Sequence, residues 1–179
     1  MHVFHSKHSA RRTVTSAACA LFFLGASGCG GDSLGPGIGS GTLTASGTVS
    51  ASGSGPALFQ SVSSGGTSLF QLVLAPISQS ANTWTLQIAN YSGRLAAGTY
   101  SLTALSPSSP NPTATFYYIS GGTMQAFNST SGQLVITSSS RSVVRGTFTF
   151  TATDPAGGTG TVTAHGSFDA QCAPGTTCL

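Results

Sequence analysis

Val144-Arg145-Gly146-Thr147-Phe148-Thr149-Phe150-Thr151-Ala152 decides the fold class. Val144, Gly146, Phe148, Phe150 and Ala152 alternate one for one with Arg145, Thr147, Thr149 and Thr151. Side chains of an extended chain point to opposite faces in turn. The segment therefore reads as a strand with one apolar face and one hydroxyl face. Threonine suits it, because its branched Cβ favours extended backbone.

Working outward, the same period of two recurs. Val162, Ala164, Gly166 and Phe168 alternate with Thr161, Thr163, His165 and Ser167. Trp84, Leu86 and Ile88 alternate with Thr83, Thr85 and Gln87, and Tyr100, Leu102 and Ala104 with Thr99, Ser101 and Thr103. Residues 68–75 and 133–137 are apolar on both faces and suit covered strands. Residues 113–120 and 123–128 flank Gly121-Gly122, the signature of a hairpin with a primed turn. Other turn signals are Gly65-Gly66, Tyr91-Ser92-Gly93 and Gly157-Gly158, with Pro107, Pro110 and Pro112 in one longer loop. No helical period exceeds two turns beyond the leader. The expectation is all-β: a single antiparallel β-sandwich or small barrel of about eight strands.

Composition narrows function. Only 5% of the 179 residues are charged, against about 25% in an average domain. The net charge of +3 belongs to the leader, which carries Lys7, Arg11 and Arg12. From Cys29 onward Arg94, Arg141 and Arg145 balance Asp32, Asp154 and Asp169. No basic patch exists to neutralise phosphates, which excludes a nucleic-acid partner. Catalytic chemistry is scarce as well. After Cys29 there is one His, three Asp and no Glu. His165 lies on the Thr face, and Asp169 is about 13 Å further along the strand, too far for a base and its orienting group. Asp154 precedes Pro155 and reads as a turn residue. The expectation is no enzyme, no cofactor and no metal site. Among the aromatics, Trp84 and Tyr100 fall on core faces, while Tyr91 in a turn and Tyr117 on the outer face are the candidate ligand contacts.

Residues 1–28 read as an export signal: a basic start, then an uncharged apolar run over residues 17–26. Ten helical residues span about 15 Å, half a bilayer core. Ala26-Ser27-Gly28-Cys29 resembles the lipobox of bacterial lipoproteins, with Ala26 where leucine is usual. The resemblance implies that Cys29 carries lipid and becomes the first mature residue. It places the protein in the cell envelope, on the outer membrane where the organism has two, with ordinary secretion as the alternative. Residues 29–55, rich in Gly and Ser, read as a tether with a candidate first strand at 42–51. The β-domain is expected over 56–170, and a tail over 171–179. Cys172 and Cys178 form an even pair in an oxidising compartment and are expected to be disulfide-bonded.

A second resemblance rests on Gly98-Thr99-Tyr100, Gly132-Gln133-Leu134-Val135-Ile136-Thr137, residues 145–152 and Gly166-Ser167-Phe168-Asp169. This series is similar to small bacterial lipoprotein β-domains that have no established activity. It implies a fold class and an address only. The expected role is a non-catalytic envelope lipoprotein with a structural or interaction function. A glycan- or peptide-binding module of the same fold is the alternative, and a hydrolase a more distant one. Envelope proteins or glycans are the expected partners besides the membrane. With so few charges to guard strand edges, strand-mediated self-association is expected too. A membrane-spanning barrel is disfavoured, because the strands lack an aromatic-girdled lipid-facing band.

Overall fold

Alternation of apolar and hydroxyl side chains builds nine strands and no helix among the described residues. These are β1 (Gly39–Gly47), β2 (Ala51–Ser64), β3 (Thr67–Leu74), β4 (Asn82–Asn90), β5 (Gly98–Ser101), β6 (Thr113–Ser120), β7 (Thr123–Ser139), β8 (Val143–Thr153) and β9 (Thr161–Cys172). The computed structural model describes residues 38–64, 66–77, 82–106, 109–176 and 178. The leader, Cys29 and the first part of the expected tether lie outside them.

The strands form one sheet in the order β7-β6-β4-β3-β2-β1-β9-β8, and β8 pairs again with β7. Eight strands thus close into an up-and-down antiparallel barrel. The short β5 extends the β6 side of β7, pairing Gly98 with Ile136 through Ser101 with Gln133. Closure selects the barrel over the sandwich. Among the described residues it also leaves few long strand edges unpaired.

The alternation resolves into inside and outside. Leu43, Phe59, Phe70, Leu72, Leu86, Ile88, Phe116, Leu134, Phe148 and Phe150 fill the interior, each at most 3% exposed. Thr42, Thr44, Thr147, Thr149, Thr161, Thr163, His165 and Ser167 stand exposed on the outer wall of β1, β8 and β9. A barrel that crosses a bilayer has the reverse polarity. The outer sides of β2 and β3 are more apolar: Leu58, Leu69 and Val73 are half-buried there.

Glycines on the inner face set the curvature. Gly146 sits opposite Phe168, and Gly166 opposite Phe148. Each ring lies over the glycine of the neighbouring strand: a Cβ on Gly146 would meet Phe168 Cζ at 2.8 Å, and one on Gly166 would meet Phe148 Cζ at 2.6 Å. Such glycine–aromatic exchanges let a sheet bend sharply while its core stays full. At the predicted β6–β7 hairpin, Gly121 and Gly122 take φ of 57° and 80°, as a primed turn requires.

Of residues 39–55, read as tether with a candidate first strand at 42–51, the described chain is strand almost throughout. Residues 39–47 are β1, which closes the barrel, and β2 starts at Ala51 rather than at Pro56. These segments look like linker because Gly39, Gly41 and Gly55 face carbonyls or core side chains with no room for a Cβ. Their glycines report close approach, not flexibility.

Candidate functional site

A mismatch in strand pairing opens the barrel wall at one end. β2 pairs with β1 from Ala51 onward but with β3 only from Ala57, opposite Leu74. β4 pairs with β6 from Asn82 but with β3 only from Leu86, again opposite Leu74. Among the described residues, 51–56 and 82–85 therefore flank the end of β3 without a ladder between them. The local sequence explains the early end of β3. Ala75 N–H donates to Pro56 O at 3.3 Å, its carbonyl occupies the space a Gly55 Cβ would need, and Pro76 has no N–H to extend the ladder.

This notch holds a pocket of about 370 Å³, lined by residues 50–54, Pro76, Asn82, Trp84 and Tyr118. Trp84 and Tyr118 are directly opposed across β4 and β6. Trp84 is 4% exposed, so its ring belongs to the core. Its Nε1 edge lies beneath Gly53, 3.7 Å from where a Cβ would stand. That N–H has no hydrogen-bond acceptor among the described residues. Tyr118 is half-buried and shows part of its ring to the pocket. Asn82 Oδ1 accepts from Ser120 Oγ at 2.7 Å, which fixes its amide. The described lining holds hydroxyls, one amide and aromatic surface, with no acid or base.

The opposite end is plugged. Leu95, 4% exposed, is held where Ser139 Oγ donates to its carbonyl at 2.8 Å. Arg94 lies over the Phe59 ring, 5.6 Å from its centroid, and donates to Ser139 Oγ at 3.1 Å and to the Ser140 carbonyl. Burial first, and the neighbouring Arg141 cation second, lower the Arg94 pKa from the usual guanidinium range. The tail completes the plug. Cys172 and Cys178 are disulfide-bonded with Cα atoms 6.0 Å apart, and Cys178 bridges to Ser61. The backbone follows, Ala173 N–H donating to Phe59 O at 2.8 Å.

The structure separates the two aromatic candidates. Tyr91 follows β4 at the plugged end, whereas Tyr117 stands on the outer wall between Thr85 and Ala126. Six residues of strand, about 20 Å, lie between their levels. Neither lines the notch. Trp84 was legible as an inward-facing aromatic, but its place in the notch beside Tyr118 depends on the length of β3. His165 is exposed between Thr44 and Thr149. Asp169 pairs with Arg145 at 2.7 Å on an exposed wall. Asp154 accepts from Ala156 N–H at 2.8 Å, the local turn bond its position predicted. A second depression of about 280 Å³ runs over Gly41, Ser54 and Ser167 on the outer wall. Among the described residues, no three His, Cys, Asp or Glu side chains gather as metal ligands. Cys29 lies outside the described residues.

Comparison with known proteins gives no match to any family model, curated protein or solved structure.

Proposed function

We propose that this is a non-catalytic lipoprotein of the cell envelope, a water-facing barrel held to a membrane by lipid on Cys29, with an interaction role. The observation that carries the reading is the polarity of the barrel. β1 enters at the plugged end, with Gly39 beside Ala57 and Asp169, and runs to Gly47 at the end that bears the notch. A membrane anchor upstream of Gly39 therefore attaches at the plugged end. The ten residues from Cys29 to Gly39 reach at most about 35 Å, so the tether joins the barrel at its plugged end. The Thr and Ser wall of β1, β8 and β9 supports an anchor as the means of membrane attachment, because that face has no affinity for hydrocarbon.

Intact mass spectrometry of protein extracted from membranes of an expressing bacterium tests the reading. The expected mass is that of a chain starting at Cys29, plus diacylglycerol and acyl chains. Cys29→Ser is expected to abolish the increment and the membrane fraction together. A wild-type mature chain without lipid overturns the anchor.

A further inference from the structure

We infer that the notch binds a neutral saccharide. The inference deepens the interaction role proposed above by naming the site and the ligand class, and it stands or falls separately from the anchor. Three features carry it. First, among the described residues the notch is a pocket where β3 ends early at Leu74, and its volume of about 370 Å³ lies at the small end of ligand sites. Second, Trp84 lines this opening with its Nε1 edge 3.7 Å from where a Gly53 Cβ would stand, and that N–H donates to no acceptor among the described residues. Third, the described lining has no ionised group, so a charged ligand finds no counter-charge and would be stripped of water at a loss.

What fits is a ligand both hydroxylated and partly apolar. Serine hydroxyls at 50, 52 and 54 each donate and accept, and so match hydroxyls whose direction varies. The half-buried Tyr118 ring offers a flat apolar wall for the C–H face of a sugar ring. The indole N–H donates to a ring or hydroxyl oxygen. Gly53, with no side chain, leaves that donor uncovered.

Trp84 is the one tryptophan of the chain, so intrinsic emission reports on this site. The full mature barrel is titrated with neutral tri- and tetrasaccharides built from glucose, mannose, galactose and N-acetylglucosamine, each up to about 10 mM. A neutral Ser/Thr/Gly-rich hexapeptide forms a parallel arm. The expected result is a saturable emission shift with at least one saccharide. By calorimetry, Trp84→Phe keeps the ring but removes the donor, and weakens binding about fivefold to tenfold. Tyr118→Ala weakens it at least about tenfold. Should Tyr118→Ala fail to fold, the Trp84→Phe measurement carries the test alone. No saturable response to any saccharide overturns the inference. A response to the peptide alone overturns the ligand class and keeps the notch as a binding site. Saccharide binding of wild-type strength in Trp84→Phe places the ligand elsewhere and overturns the site. A lipidated chain that binds no saccharide leaves the anchor reading standing.

Discussion

Replacing Gly166 by alanine tests the packing that closes the barrel. Gly166 lies on β9 between Leu43 of β1 and Phe148 of β8. An added Cβ would stand 2.6 Å from Phe148 Cζ and well inside contact with the Thr42 carbonyl oxygen, whereas real Cβ atoms keep beyond 3.0 Å of their neighbours. Two things must give. Displacing the Phe148 ring in a full core costs about 1–3 kcal/mol. Moving the Thr42 carbonyl weakens one or two bonds of the β1–β9 ladder, about 1 kcal/mol each. The expected loss is about 3 kcal/mol, which for a domain of this size lowers Tm by about 10 °C. Gly157→Ala is the reference. Its φ of 85° is left-handed, but nothing lies within 4 Å of the new methyl, so backbone strain alone costs about 1–2 kcal/mol. Urea and thermal unfolding followed by far-ultraviolet circular dichroism measure both. If Gly166→Ala proves as stable as Gly157→Ala, ring-over-glycine packing does not set the curvature of this barrel.

Three further outcomes follow from the same geometry. Opening the Cys172–Cys178 loop by a double serine substitution is expected to cost about 2 kcal/mol in the chain-entropy account, and reductant is expected to lower the wild-type Tm to match. Arg94→Ala removes the cation over Phe59 and the bonds to Ser139 and Ser140, with an expected loss of about 2 kcal/mol in urea unfolding. Arg94→Lys keeps the charge without the planar fork and is expected to fall between wild type and alanine. Asp169→Asn breaks an ion pair whose side chains are 53% and 41% exposed, so the change in urea midpoint is expected to reflect less than about 1 kcal/mol and to vanish in high salt.

Strands whose inner residues are large and apolar were legible from period alone. Phe148, Phe150, Trp84, Leu86 and Ile88 all face inward as the alternation requires. The first strand showed only as a candidate at 42–51, and its start at Gly39 hid behind its composition. Gly39 and Gly41 occupy inner positions that carry no apolar signal, since the neighbouring carbonyls and the Leu74 side chain leave no room. Closure was out of reach for a different reason. Pairing Leu43 with Gly166 joins the ends of the domain, and no local pattern encodes so distant a register. The notch shared that fate, because it arises from unequal ladders on the two sides of β3. Pro76 was its one local signal, a residue that cannot donate to a ladder. Tyr91 and Tyr117 drew attention by their positions in a turn and on an outer face. Trp84 and Tyr118 gain access only once β3 is seen to stop at Leu74.

The central claim is that residues 39–47 close the barrel, which fixes a plugged end where the chain enters and a notched end away from it. Amide hydrogen exchange on the folded mature protein tests this most directly. If β1 is an interior strand between β2 and β9, the amides of Leu43, Thr44 and Ala45 are expected to exchange as slowly as those of Thr147, Phe148 and Thr149 in β8. Exchange of residues 39–47 at the rate of an unstructured tail would contradict the closed barrel, and with it the orientation and the notch.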